Sequence, residues 1–172
     1  MARDRNRLLN FQAALGQRLK QAAAQPKRDS RLAVFAANRH FLLDLADVAE
    51  VSPMTAVTSV PFTKAWFLGV TNVRGTLYAV SDMAAWLLGR RTPNSDATRV
   101  VLLGQRLARL RTAIMVERVV GLRLLDDMVG IPEATLRPWE KSAWQDKDGT
   151  AWYEIDLANL VMDSDFLQVV QN

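Results

Sequence analysis

The sequence predicts a mainly β domain of small barrels carrying short helices, preceded by an amphipathic helix. Three observations carry this. From residue 31 onward, apolar, β-branched and aromatic residues fall in runs of strand length separated by steps rich in Gly, Pro and Asn. Helix signals in that region are few and short: after Asp44, after Asp82 and near the C-terminal end. A chain of 172 residues, 49% hydrophobic and 23% charged, is globular in composition and long enough for one sizeable core or two small ones.

Between Arg3 and Ala24, Leu8, Phe11, Leu15 and Leu19 recur at three- or four-residue spacing among Arg, Gln and Ala, the pattern of an amphipathic helix. Gln25-Pro26-Lys27-Arg28-Asp29-Ser30 interrupts it with proline and charge. Residues 1–30 therefore read as helix and linker, and 31–172 as the folded domain. The helix's apolar stripe suits packing on its own domain, docking on a partner or lying on a membrane surface.

Arg31 to Leu45 holds two strand-length apolar runs around Asn38-Arg39-His40, which predicts a hairpin. Leu45, Val48 and Val51 then stand at helical spacing until Ser52-Pro53, which predicts about one helical turn. Trp66–Val70 and Gly75–Val80 are the next strands, joined by Thr71-Asn72-Val73-Arg74-Gly75, where Asn72 and Gly75 tolerate the positive φ of a tight reversal. Ser81-Asp82 caps a short helix, Met83 to Leu88, that stops at Gly89. Arg90 to Asp96 is a polar loop. Strands follow at Thr98–Gly104 and Thr112–Val120, linked by Gln105–Arg111, whose arginines alternate with apolar residues like one edge of a strand. In the last third, a hairpin turn at Asp146-Lys147-Asp148-Gly149 precedes a strand at Ala151–Leu157 and a helical C-terminal segment.

Candidate chemistry is sparse. The chain has no cysteine, which excludes disulfides, cysteine nucleophiles and thiolate metal sites. His40 is the single histidine and has no second ligand at metal spacing. Asp44, Asp47 and Glu50 at three-residue spacing read as the solvated side of a helix rather than as an acid and its base. Asp146-x-Asp148-Gly149 lacks the later ligands of a calcium loop. No cofactor, metal or catalytic residue is expected. No apolar run reaches the roughly 18 residues of a membrane span, and the N-terminus supplies no secretory apolar segment, so the expectation is a soluble cytoplasmic protein.

The net charge of +4 hides a polarised chain. Residues 1–31 carry +6, residues 32–123 carry +5 and residues 124–172 carry −7. Arg106, Arg109, Arg111, Arg118 and Arg123 make the best argument for a small basic β-barrel that binds nucleic acid. Residues 99–123, however, contain no aromatic residue to stack a base, which favours a solvated face or an acidic protein partner.

One stretch is more specific than the rest. Gly69, Val70, Asn72, Arg74, Gly75, Val80 and Asp82 stand in register with the pattern Gly-Val-x-Asn-x-Arg-Gly, three residues, then Pro-Val-x-Asp-Leu, and so resemble the signature of the CheW-like coupling proteins of bacterial chemosensory arrays. Ala79 and Met83 depart from it. With Trp66, Tyr78 and Ala84-Ala85-Trp86-Leu87-Leu88-Gly89, these departures resemble the PilI-like branch serving type IV pilus twitching motility. Glu50 stands where the family has a glutamate, Val116-Glu117-Arg118-Val119 resembles its Val-Asp-x-Val strand, and Ile131-Pro132 its Ile-Pro step.

The resemblance covers about residues 31–170. It implies two intertwined five-stranded SH3-like barrels and a non-catalytic adaptor. Its partners would be the cytoplasmic tip of a methyl-accepting chemoreceptor and the CheW-like domain of a CheA-type histidine kinase, in arrays held at the membrane by the receptors. It further implies that Gly69, Asn72, Arg74 and Gly75 shape a turn near the receptor groove and that Val70, Val73, Val80 and Val116 supply apolar wall. Arg74 is expected to pair with Glu50, because an arginine in so apolar a neighbourhood needs a carboxylate.

Overall fold

The computed structural model describes residues 29–104, 107 and 111–171; the predicted N-terminal helix, with Leu8, Phe11, Leu15 and Leu19, lies outside them. The described chain is mainly β. Strands β1 (Ser30–Ala36) and β2 (Arg39–Asp44) form the first hairpin. Its reversal is at Ala37 and Asn38, both with positive φ, so Arg39 and His40 belong to the strand instead of the predicted turn.

Leu45–Asp47 makes one turn of 3-10 helix, begun by Asp44, whose carboxylate accepts the Ala46 N–H at 2.8 Å. The helical spacing predicted to continue through Val51 is instead strand β3 (Val48–Pro53), paired with β6 (Arg99–Leu103). A register shift between Val48 and Glu50 explains the misreading: the irregularity lets Val48 and Val51, three residues apart, both pack on the main core.

The central hairpin is β4 (Phe67–Val73) and β5 (Thr76–Asp82), followed by helix α1 (Met83–Leu88) as predicted. Asp82 caps α1 from a fully buried position, accepting hydrogen bonds from the Ala84 and Ala85 N–H groups and from the Thr92 N–H and hydroxyl. Gly89 closes the helix at φ 69°, donating to the Ala85 carbonyl.

The single strand predicted over Thr112–Val120 is two, β7 (Thr112–Val116) and β8 (Arg118–Leu124). Glu117 separates them: its N–H donates to the Phe35 carbonyl and its carboxylate accepts the Ala37 N–H. Of the Gln105–Arg111 link, predicted as a strand edge, the described Leu107 lies in a turn and donates to the Gly104 carbonyl. A 3-10 turn at Leu125–Asp127, strand β9 (Val129–Gly130), the hairpin β10 (Glu140–Gln145) and β11 (Ala151–Ile155), and helices α2 (Leu157–Leu160) and α3 (Ser164–Leu167) complete the chain.

These strands form two sheets, with orders β8-β1-β2-β11-β10-β9 and β3-β6-β7-β5-β4. The first has six strands where five are expected, the additional one being two-residue β9. It is assembled from both parts of the chain that flank the second sheet, and each sheet contains one parallel pairing, β2 with β11 and β5 with β7. The main core lies between the sheets. Val34, Phe41 and Leu43 meet Val101, Leu103, Ile114 and Val116 there, closed by Trp139, Leu157, Leu160 and Phe166. A smaller core inside the five-stranded sheet gathers Val80, Val100, Leu102 and Ala113.

Candidate functional site

Of the predicted site residues, Gly69, Val70, Asn72, Val73, Arg74, Gly75 and Val80 lie on the β4–β5 hairpin, whereas Glu50 lies on β3 and Val116 on β7. Arg74 and Gly75, with φ of 51° and 82°, form the two-residue reversal. Asn72, predicted to take part in it by its own φ, acts instead through its side chain: its amide oxygen accepts the Gly75 N–H at 2.8 Å. This bond ties the two sides of the reversal together.

Glu50 reaches this tip from β3. Its carboxylate lies 3.1 Å from Arg74 Nη2, so the expected pair forms. Its setting differs from the expected one. Arg74 is 81% exposed and Glu50 about one third exposed, and Glu50 stands on a strand rather than at a helix end. The pair joins opposite edges of the five-stranded sheet, since β3 and β4 are its two outer strands.

The chain leaving β3 reinforces that seam. Thr58 and Val70 exchange backbone hydrogen bonds of 2.8 and 2.9 Å, and the Thr71 hydroxyl donates to the Ala56 carbonyl at 2.8 Å and bonds with the Thr55 hydroxyl. Gly69 makes this approach possible. It is buried at φ 125°, and a Cβ placed there would lie 2.0 Å from the Thr58 carbonyl oxygen.

The valines divide. Val70 and Val73 are half-buried at the hairpin, whereas Val80 and Val116 are fully buried in two different cores and present nothing to a partner. Leu77, unremarked in the sequence, pairs with Asn72 and is 61% exposed, so the outer side of the hairpin carries an apolar residue beside a polar one. Alternation along β5 was its signal, because Tyr78 and Val80 flank an inward path that Leu77 cannot share. At the other end of the same seam, Met54, Val57, Leu68 and Met115 line one part of a groove of about 460 Å³ whose other part is polar and includes Arg91 and Asn94.

The remaining candidates have structural partners. The His40 ring packs between Phe35 and Trp152 in tilted contacts, with centroids 4.9 and 4.6 Å away. Burial holds its pKa below the ordinary value, the charges of Arg118 and Arg123 act in the same direction, and Asp146 opposes them. Arg118 lies over Phe35 and Arg123 over Trp152, on the six-stranded sheet, while Arg111 contacts Thr76 in the other sheet. The described arginines of the predicted phosphate-holding stripe are thus split between the sheets; Arg106 and Arg109 lie outside the described residues. Asp146 organises its turn by accepting from Asp148, Thr150 and the Trp152 indole. No helix of the described residues is long and apolar enough to cross a membrane.

Comparison with known proteins gives a consistent result. Residues 31–165 match the CheW-like domain family. A probable chemotaxis protein CheW from Rhizobium etli is 28% identical over 103 residues, an alignment that spans 59% of this chain and 60% of that relative. Among solved structures, the scaffolding protein TtCheW from Thermoanaerobacter tengcongensis superposes with a TM-score of 0.70 at 17% identity, covering 84% of this chain and 94% of that one.

Proposed function

The chain belongs to the CheW-like domain family, and from that premise we propose that it is a non-catalytic adaptor coupling a methyl-accepting chemoreceptor to a CheA-type histidine kinase in the cytoplasm. The resemblance of residues 66–89 to the PilI-like branch supports extending this proposal to control of type IV pilus twitching motility. We also read the two sheets as SH3-like barrels. The Thr58–Val70 pairing supports this for the five-stranded sheet, because it links one outer strand's continuation to the other.

The observation that carries the proposal is the exposed Glu50–Arg74 pair on a hairpin tip held by Asn72. A pair so open to solvent contributes at most about 1 kcal/mol to stability. Its backbone supports, Gly69, Gly75, Val70 and Val73, keep the tip in place. The tip and the groove at the other end of the seam supply two separate patches, and an adaptor works by holding two partners at high effective concentration.

The test is a double-mutant cycle on Glu50→Ala and Arg74→Ala, with urea stability and affinities for a receptor cytoplasmic hairpin and a kinase CheW-like fragment measured on the same proteins. We expect stability to change by less than about 1 kcal/mol and binding of one partner to fall about tenfold or more. Unchanged affinity for both partners, or no binding by the unaltered protein, overturns the reading.

A further inference from the structure

We propose that residues 1–28 dock on this chain's own six-stranded sheet, with the Leu8/Phe11/Leu15/Leu19 stripe seated in the groove between β8 and the β10–β11 turn. The groove encloses about 590 Å³. Its apolar lining is Leu122, Leu124 and Met128, and its acidic lining is Asp127, Asp146 and Asp148. Leu122 is 60% exposed, and Val129, just beyond the lining, is exposed as well.

Two observations point to this occupant. The first is where the described chain begins: the Asp29 carbonyl accepts the Leu125 N–H at 3.0 Å, which sets the start of the described chain beside the groove. The ten steps of chain from Leu19 to Asp29 extend to at most roughly 35 Å, which keeps the stripe near this face at high effective concentration.

The second is charge. Residues 1–28 carry seven basic residues and one acidic, and residues 124–172 are the acidic part of the chain. Arg123 and Lys147 also line the groove and reduce its local negative charge, but Arg123 is turned over the Trp152 ring. Leu122, Leu124 and Met128 therefore offer the stripe a narrow apolar strip, and the carboxylates beside them face the segment's basic residues. The docked segment would lie on a different sheet from the Glu50–Arg74 pair and leave that pair free.

The absence of cysteine from the chain makes the test clean. In the full-length protein, a nitroxide on Gln17→Cys should abolish amide signals around Leu122–Met128 while sparing those of Asn72–Leu77. Adding Leu15→Asp in the segment, or Leu122→Asp at the exposed groove wall, should restore them. Three results overturn the proposal: no selective loss, loss centred elsewhere, or loss that appears only when labelled protein is mixed with isotopically enriched unlabelled protein. The last would assign the groove to a second copy.

Discussion

Gly69 and Gly75 share a positive φ but do different work, and substitution separates them. A Cβ at Gly69 meets the Thr58 carbonyl at 2.0 Å in addition to its φ of 125°, so Gly69→Ala forces β4 away from the chain it pairs with. We expect a loss of about 1–3 kcal/mol or more, read from the urea midpoint. At Gly75 a Cβ meets nothing within 4 Å, and Gly75→Ala should cost only about 1 kcal/mol. His40 gives a second test at this scale. Its folded pKa lies below the ordinary value near 6.5, so on acidification the unfolded chain takes up the proton first. The stabilising contribution is complete above about pH 6.5 and declines as pH falls toward the folded value. As the single histidine, it should account for the slope of stability between about pH 7 and 5.5, and His40→Gln should flatten that slope in pH-dependent urea melts.

At the scale of elements, α1 depends on one buried carboxylate. Asp82 joins the end of β5, the first turn of α1 and Thr92 of the following loop, so Asp82→Ala leaves buried donors unsatisfied in two segments at once. The expected cost is about 2–4 kcal/mol, with faster hydrogen exchange at Ala84, Ala85 and Thr92 ahead of the rest of the sheet. Both caps of this helix were legible because capping is local: Asp before the apolar run and Gly after it are chemical instructions carried within ten residues. The first and central hairpins were legible for the same reason. Strand β3 was not, because its bulge gives an edge strand the three-residue spacing of a helix. The break at Glu117 was hidden too, since the contacts that impose it, with Phe35 and Ala37, lie some eighty residues away. The site shows the same division. Asn72, Arg74 and Gly75 were found as turn residues, while the inward placement of Val80 and Val116 and the outward one of Leu77 follow from which neighbours each strand meets.

For the whole molecule, the main core is shared by both sheets and by α2 and α3, so neither sheet buries its apolar side alone. Proteins lacking residues 1–28 should therefore still melt in a single transition by calorimetry, because the two sheets hold one core between them and Pro26 with its charged neighbours interrupts the chain before β1. Loss of the transition would place part of the core in the N-terminal stripe, and two transitions would show that the sheets melt separately. The parallel pairing of β2 with β11 has a further consequence during synthesis. His40, Phe41 and Leu42 leave the ribosome more than a hundred residues before Trp152, Tyr153 and Glu154, their partners in the ladder. The nascent hairpin must wait with that apolar edge open, long-range closure is slow, and an open edge invites pairing with another chain. The interval between translating β2 and translating β11 is thus when this edge of the chain is most open to pairing with a neighbour.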